Sequence, residues 1–210
     1  MGRSKSSHQW LKSHFDDEFV KRAQREGYRS RAVYKLEEIQ RKDRLLKPGT
    51  TLVDLGAAPG GWSQYAAQLL KGSGRIIALD ILPMEPLAGV EFLQGDFREE
   101  AVYARLLDVL AGDEVDLVMS DMAPNITGMQ AVDQPGSMYL AELAVDFASR
   151  VLRKDGVLLF KAFQGEGFDE LVKGLRTHYQ AIRIRKPRAS RSKSREVYVL
   201  AKHGSPANVS

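Results

Sequence analysis

The apolar and polar positions of this chain follow an alternating pattern that predicts strands and helices in turn. Apolar runs that suit buried strands occur at 50–55, 75–80, 90–94, 115–120 and 156–163. Helical periodicity separates or follows these runs near 62–71, 98–111, 137–153 and 168–178. Two closing strands are expected at 181–186 and 196–202, and they could form an antiparallel hairpin. This order predicts an α/β fold with a largely parallel sheet and helices on both faces.

The ends of the chain differ from this alternating centre. Residues 1–15 are polar, basic and rich in serine, so we expect them to be disordered, and 203–210 read as a short tail. A single domain is predicted over 16–202, and residues 16–47 would form its N-terminal helical arm. In that arm one helix is expected from Asp16 to about Gly27, and Ser30 is expected to cap a second helix. The apolar stripe of the second helix would consist of Val33, Leu36 and Ile39.

A long connection at 122–136 also interrupts the alternation. It contains two prolines and two glycines, so it is predicted to be a loop. Loops of this length in a compact domain often act as functional lids. We therefore expect a functional loop directly after the fourth strand.

Composition excludes several classes of chemistry. The chain has no cysteine, which rules out disulfides, thiolate metal sites and cysteine nucleophiles and suits a reducing, cytoplasmic location. No apolar run approaches the roughly 20 residues needed to span a membrane, and the N-terminus lacks an apolar signal core. The four histidines are scattered along the chain, so no metal is expected. We expect a monomer without a membrane partner.

Charge is distributed unevenly along the chain. The formal net charge is +4, but basic ends flank an acidic centre. If the ends converge in the fold, they form one basic face suited to a polyanion such as RNA; two solvated tails are the alternative. Seven basic residues are candidates for phosphate contacts: Arg29, Arg31, Lys186, Arg188, Arg191, Lys193 and Arg195.

The run VDLGAAPGGW, residues 53–62, predicts a ligand-binding turn. It joins the end of a buried strand to the start of a helix through Gly56, Gly60 and Gly61, a geometry that lets the backbone approach a nucleotide-like ligand. A dinucleotide site has the spacing G-x-G-x-x-G, and in this run alanine stands in place of its second glycine. The spacing therefore favours a smaller adenosyl ligand and disfavours a nicotinamide-dependent dehydrogenase.

Acidic residues stand at the ends of successive predicted strands. Asp80 lies about 20 residues after the glycine turn, where a carboxylate commonly binds ribose hydroxyls. Asp96 and Asp121 follow the next two strands, at the edge where open α/β sheets bind ligands. Any one of these residues could instead be an ordinary helix or turn cap. Asp54, within the first strand, is interpreted as a support for the turn.

Five motifs in order, VDLGAAPGGWSQY, LQGDFR, MSDMAPN, FKAFQGEGFDE and SREVYV, resemble the FtsJ (RrmJ) family of S-adenosylmethionine-dependent RNA ribose 2′-O-methyltransferases. The resemblance covers roughly residues 10 to 202 and implies a Rossmann-like, seven-stranded methyltransferase fold. It implies S-adenosyl-L-methionine as cofactor and S-adenosyl-L-homocysteine as product. The cofactor positions carried over by the resemblance are Gly60, Trp62, Asp80, Asp96 and Asp121.

The same resemblance implies a catalytic tetrad and a substrate. The tetrad would consist of Lys35, Asp121, Lys161 and Glu196. The implied reaction is methylation of a uridine ribose in 23S rRNA, within the large (50S) ribosomal subunit or its late precursor. Two alternatives stay open: a 2′-O-methyltransferase acting on tRNA or another RNA, and a non-catalytic ribosome-assembly factor.

The proposed chemistry needs a base, because a ribose hydroxyl is a poor nucleophile. We hypothesise that Lys161 takes the proton and that Asp121 orients it, although two lysines and two acids could also form a fixed network that only orients the hydroxyl. Read without the resemblance, Lys35 would form an ordinary surface pair with Glu38. Tyr198 shares a strand face with Glu196 and could be core or a base-stacking surface.

Overall fold

One seven-stranded sheet forms the centre of the molecule. The computed structural model describes residues 17–191 and 193–202, so the predictions for 1–15 and 203–210 lie outside the described residues. The strand order is β3-β2-β1-β4-β5-β7-β6; the first five are parallel, and β7 runs antiparallel to both β5 and β6. The strands are β1 Thr51–Leu55, β2 Arg75–Asp80, β3 Glu91–Gln94, β4 Val115–Ser120, β5 Leu152–Phe163, β6 Ala181–Arg185 and β7 Glu196–Lys202.

Helices cover both faces of this sheet, as the alternating pattern predicts. The helices of the described residues are α1 Glu18–Glu26, α2 Val33–Asp43, α3 Gly61–Leu70, α4 Glu100–Leu110, α5 Gln130–Val151 and α6 Phe168–Leu175. Residues of α2 and α3 share one apolar core cluster with the sheet, and residues of α4, α5 and α6 share another. The expected α/β class, the seven strands and the closing hairpin are all confirmed.

The N-terminal arm has the expected helices but not the expected cap. The carboxylate of Asp17 accepts a hydrogen bond from the Phe19 N–H, and α1 ends at Gly27 with a positive φ of 73°. The prediction that Ser30 caps the second helix is wrong, because α2 follows Ala32 without a side-chain cap. A turn at residues 31–32 moves Ser30 away from that position, and its hydroxyl instead lies against Gly61. The predicted apolar stripe is buried in full.

The loop predicted at 122–136 is shorter than expected. Helix α5 begins at Gln130 and includes Pro135, whose missing N–H removes one helical hydrogen bond. Two side chains compensate. Asp133 accepts hydrogen bonds from the backbone of Thr127 and Gly128, and Gln134 donates to the carbonyl groups of residues 163 and 166. Long-range contacts thus extend a helix through a sequence that favours a loop.

In the part of the chain that the structure describes, no helix is both long and apolar enough to cross a membrane.

Candidate active site

The glycine turn lies at the carboxyl edge of the sheet, between β1 and α3. Gly56 and Gly60 both have positive φ angles, 76° and 103°. A Cβ atom at Gly56 would lie 2.8 Å from the backbone N of Met122, and one at Gly60 would lie 2.8 Å from the sulfur of Met84. Backbone conformation and close packing therefore both require glycine at these two positions.

Asp80 holds the turn from the neighbouring strand. Its carboxylate accepts hydrogen bonds from the backbone N–H groups of Ala58, at 2.9 Å, and Leu82, at 2.8 Å. A carboxylate has about four acceptor positions, so capacity for further donors remains. Asp96, at the end of the next strand, is hydrogen-bonded to the guanidinium of Arg98, and these bonds lower the pKa of Asp96.

Asp54 is a fully buried acid beneath the same turn. It accepts a hydrogen bond of 2.6 Å from the Ser63 hydroxyl in the first turn of α3, which ties β1 to that helix. Its other carboxylate oxygen has no hydrogen-bond partner among the described residues. Burial raises the pKa of Asp54 to about 7 against the effect of the Ser63 hydrogen bond, and the charges of Asp121 and Asp80 raise it further.

The Trp62 side chain belongs to the core. Its indole N–H donates to the Ala32 carbonyl at 2.8 Å, and its ring centroid lies 5.5 Å from that of Tyr198. The backbone N–H of Trp62 is one of the first in α3, and such groups have no partner within the helix. Any contact of Trp62 with a ligand at the turn would therefore use its backbone.

The four residues of the implied tetrad come together from four separate elements. Lys35 lies on α2, Asp121 follows β4, Lys161 lies in β5 and Glu196 begins β7. The Lys161 ammonium donates to the Asp121 carboxylate at 2.9 Å and to its backbone carbonyl at 2.5 Å. The Lys35 ammonium lies 2.8 Å from the Glu196 carboxylate. The fold thus forms two ion pairs at one edge of the sheet.

A fifth residue, Tyr198, connects the two pairs. Its hydroxyl donates to Asp121 at 2.7 Å and accepts from Lys35 at 3.1 Å. Tyr198 is fully buried, so of its two expected roles it is a core residue and not a base-stacking surface. Strand alternation placed Tyr198 beside Glu196, but no pattern in the sequence indicated that its hydroxyl would reach Asp121.

The surroundings determine the protonation of this network. Burial by itself would raise the pKa of Asp121, but the ammonium groups of Lys161 and Lys35, with the Tyr198 hydrogen bond, outweigh it and hold that pKa below its usual value. Burial, and then the charges of Asp121 and Glu196, raise the pKa of Tyr198 well above its usual value. At neutral pH the carboxylate is therefore ionised and the phenol carries its proton.

The surface pair expected for Lys35 without the family resemblance does not form. Lys35 contacts residues of β7, 161 and 163 positions away in the sequence. Glu38 instead pairs with Lys42 at 2.7 Å and accepts a hydrogen bond from the backbone N–H of Arg188. The side chains of α2 thus contact the C-terminal part of the chain.

The two basic ends of the chain converge, and the seven basic candidates divide into two groups. Three of them make internal contacts. Arg29 donates to the carbonyl groups of residues 59, 85 and 86, Arg31 pairs with Asp17 and donates to the Ala189 carbonyl, and Lys186 donates to the carbonyl groups of residues 194 and 196. The other four, Arg188, Arg191, Lys193 and Arg195, are exposed.

No group of three or more histidine, cysteine or acidic side chains within residues 17–191 and 193–202 is arranged to hold a metal ion.

Comparison with known proteins connects this geometry to a family. The FtsJ-like methyltransferase family matches residues 28–204. A protein of Hydrogenovibrio crunogenus named "Ribosomal RNA large subunit methyltransferase E" is 60% identical over 202 residues, which are 96% of this chain and 98% of that protein. A protein of the same name from Legionella pneumophila (strain Corby) is 59% identical with the same coverage.

A solved structure agrees with this match. The crystal structure of a ribosomal RNA methyltransferase from Plasmodium falciparum aligns with a TM-score of 0.77 at 29% identity, over 84% of this chain and 98% of that one. The fold, the motif order and the family match agree: this chain belongs to the FtsJ-like methyltransferase family and is a methyltransferase with a Rossmann-like fold.

Proposed function

We propose that this protein methylates a ribose 2′-hydroxyl of a uridine in 23S rRNA, within the large ribosomal subunit or its late precursor. The observation that carries the proposal is the Lys161–Asp121 pair beside the glycine turn, because it sets a candidate base next to a candidate cofactor site. The relatives' name, ribosomal RNA large subunit methyltransferase, supports the choice of RNA. A ribosomal substrate implies action in the cytoplasm.

The glycine turn and its neighbours suit S-adenosyl-L-methionine. Two of its glycines let the backbone pack closely against Met122 and Met84, and the first backbone N–H groups of α3, which have no partner within the helix, are available to a ligand. Asp80 retains acceptor capacity for ribose hydroxyls. When bound, the cofactor supplies an electrophilic methyl group on a sulfonium, and S-adenosyl-L-homocysteine is the product. The residues proposed to hold it are Gly56, Gly60, Trp62, Asp80, Asp96 and Asp121.

Lys161 is proposed as the base that takes the proton of the ribose hydroxyl. Only the amine form of a lysine can accept a proton, so Lys161 must act in that form. The carboxylate and the backbone carbonyl of Asp121 would then fix the direction of its lone pair. The Lys35–Glu196 pair, which Tyr198 links to Asp121, would position the attacking oxygen in line with the methyl group.

The exposed basic residues are proposed to bind the RNA backbone. Arg188, Arg191, Lys193 and Arg195 lie on the segment that leads into Glu196, so phosphates bound there would lie next to the tetrad. Arg29, Arg31 and Lys186 would act on the RNA only indirectly, since they shape the loops around the site. All tetrad members belong to one chain, which fits a monomeric enzyme.

The decisive experiment measures transfer of a labelled methyl group to large-subunit particles, to free rRNA and to tRNA. The modified nucleotide is then mapped. We expect transfer to large-subunit particles or free rRNA from a strain lacking the enzyme, and a single 2′-O-methyl uridine in 23S rRNA. Preferential modification of tRNA would favour the alternative substrate. A Lys161→Ala protein that supports subunit assembly as well as the unaltered protein does would favour a non-catalytic assembly factor.

A further inference from the structure

Three exposed apolar side chains lie on the segment that follows Asp121. Ile126, Met129 and Val132 are 59%, 61% and 51% exposed, although they stand within seven residues of each other. Isolated exposed apolar residues are ordinary, but a cluster beside a reaction centre indicates a binding surface. We call these three side chains the apolar row.

The apolar row is held in place by hydrogen bonds beneath it. The buried carboxylate of Asp133 accepts from the Thr127 N–H at 2.8 Å, the Thr127 hydroxyl at 2.8 Å and the Gly128 N–H at 3.0 Å. The Val132 N–H donates to the Met129 carbonyl at 3.0 Å. The segment therefore has a defined conformation that turns Asp133 inward while its apolar neighbours stay exposed.

Positive charge borders the apolar row. Hydrogen bonds from Thr127 and Gly128 lower the pKa of Asp133, and the nearby charge of Arg195 contributes to the same effect. Arg195 is exposed and directly precedes Glu196 of the tetrad. The Gln134 side chain, two positions after Val132, donates to the Phe163 carbonyl at 3.0 Å, at the end of the strand that carries Lys161, so the segment of the apolar row lies beside the catalytic network. An exposed apolar surface next to arginine suits a nucleotide, which has an apolar base and an anionic phosphate.

We propose that the apolar row is the surface on which the base of the target nucleotide packs while its ribose occupies the tetrad. This inference rests on the proposed function. The base is attached to C1′ of the ribose, next to the C2′ carbon that carries the reacting hydroxyl, so it must lie beside the tetrad. The rings of Tyr198, which belongs to the network, and of Trp62, which contacts Tyr198, are buried and cannot stack on it. The apolar row offers three exposed apolar side chains on the segment that leaves Asp121.

The test compares the double variant Ile126→Ser/Met129→Ser with the unaltered enzyme and with Leu69→Ser, a matched exposed leucine near the end of α3. Substrates are large-subunit particles reconstituted with 23S rRNA in which the target nucleotide either is intact or lacks its base. On intact RNA we expect the double variant to lose on the order of tenfold in kcat/KM, within the range known for base contacts, and to bind cofactor normally. Leu69→Ser should match the unaltered enzyme.

The RNA without the target base separates this role from a general loss of activity. On that RNA the kcat/KM of the unaltered enzyme should fall to the value of the double variant. The kcat/KM of the double variant itself should fall little further. An equal ratio between the two enzymes on both RNAs would overturn the inference and would instead indicate a contact with another part of the particle, such as a ribosomal protein. Unchanged kcat/KM of the double variant on intact RNA would overturn it as well. Failure of the proposed function would look different, because the unaltered enzyme would then transfer no methyl group to either particle.

Discussion

At the scale of single residues, one phenol hydroxyl converts two ion pairs into a continuous network. Tyr198 bonds to Asp121 and Lys35 at once, so Lys161, at one end, is linked to Glu196 at the other. Hydrogen-bonded chains of this kind strengthen each other at a site with little water. A change at any member is therefore expected to affect the others.

Lys161→Ala tests the proposed base. We expect methyl transfer to fall by about 100-fold or more, because general-base catalysis typically contributes 10²–10⁴-fold. Cofactor binding should persist, since the glycine turn and Asp80 are untouched. Single-turnover transfer and calorimetric binding of cofactor check the two parts. Near-normal transfer by a variant that binds cofactor would show that the network orients the hydroxyl without taking its proton.

Tyr198→Phe tests the link between the two pairs. The ring and its contact with Trp62 would stay, but Asp121 would lose a donor and Lys35 an acceptor. A hydrogen bond to a charged group is worth about 1.5–3 kcal/mol, so we expect kcat to fall roughly tenfold to 100-fold. Tyr103→Phe is the matched control, since its buried hydroxyl has no partner among the described residues. Equal kcat values for the two variants would contradict the linking role.

Asp54→Asn tests the buried acid under the glycine turn. The pKa of Asp54 in the folded protein is about 7, above its ordinary value of 3.8, so the folded state binds the proton more tightly. Its contribution to stability is present at low pH and is lost as pH rises towards and through 7. Relative to the unaltered protein, the variant should therefore gain about 1–4 kcal/mol in free energy of unfolding between pH 4.5 and pH 8, at about 1.4 kcal/mol per pKa unit.

Urea unfolding across that pH range measures the difference. Ser63→Ala is the control, because it removes the hydrogen bond that lowers the pKa of Asp54 but keeps the carboxyl group. That variant should show a larger loss of stability with rising pH than the unaltered protein. A pH-independent difference between Asp54→Asn and the unaltered protein would disprove the assigned titration.

At the scale of elements, the position of α2 depends on an acid at its end. Asp43 is the last residue of α2 and pairs with Arg183 at 3.0 Å and Arg185 at 2.7 Å, both on the edge strand β6. The Asp43 side chain is fully buried. These pairs attach the helix that carries Lys35 to the strand beside β7, which carries Glu196.

Asp43→Asn should loosen this attachment. We expect the free energy of unfolding to fall by about 1–3 kcal/mol at pH 7, less than for a wholly buried pair because both arginines are partly exposed. Hydrogen bonds from Arg185 lower the pKa of Asp43, so its stabilisation is present above the ordinary pKa and is lost as pH falls through the folded value. The difference in free energy of unfolding between the variant and the unaltered protein should therefore shrink in acid. Chemical denaturation at several pH values measures this difference.

Asp113→Asn provides a comparison for Asp43, since Asp113 also pairs with an arginine, Arg75, but is mostly exposed. Asp113→Asn should lower the free energy of unfolding by less than about 0.5 kcal/mol, as is usual for exposed pairs. An equally small effect of Asp43→Asn would show that the pairs do not hold α2.

Helix α5 shows where local sequence is insufficient at this scale. Proline and glycine at 135–136 predicted a loop, yet the helix begins at Gln130. The hydrogen bonds that Asp133 accepts from residues 127–128, and those that Gln134 donates to the carbonyl groups of residues 163 and 166, offset the hydrogen bond that proline removes. Those partners lie up to 32 residues away, so no local pattern could reveal them.

At the scale of the whole molecule, folding turns a charge pattern into a surface. The basic ends of the sequence meet because α2 packs on β7 and contacts the segment before it. Three of the seven basic candidates are used in holding loops, and four remain exposed to solvent. Charge counting thus predicted the basic face but could not tell structural arginines from exposed ones.

Neutralising Arg191, Lys193 and Arg195 together, each to glutamine, tests that face. We expect weaker binding of rRNA and a salt dependence whose slope falls by about 2, at roughly 0.7–0.9 per lost phosphate contact. Filter binding across a series of salt concentrations measures both. The control replaces Lys47, Lys71 and Lys154, each by glutamine, which makes the same change in net charge at the opposite end of the strands. This second triple variant should leave the slope unaltered. Equal slopes for the two triple variants would exclude a specific role for the face.

The sequence by itself determined the alternating strands and helices, the glycine turn and the acids at successive strand ends. These features follow from local rules: side-chain periodicity, backbone freedom at glycine and the position of strand termini in a parallel sheet. Family motifs added the identities of the tetrad. Only the tertiary structure decided that Lys35 meets Glu196, that Tyr198 joins the ion pairs and that Arg31 holds a loop, because each contact joins residues more than 75 positions apart. Such contacts depend on how whole elements pack, and packing is a property of the folded chain.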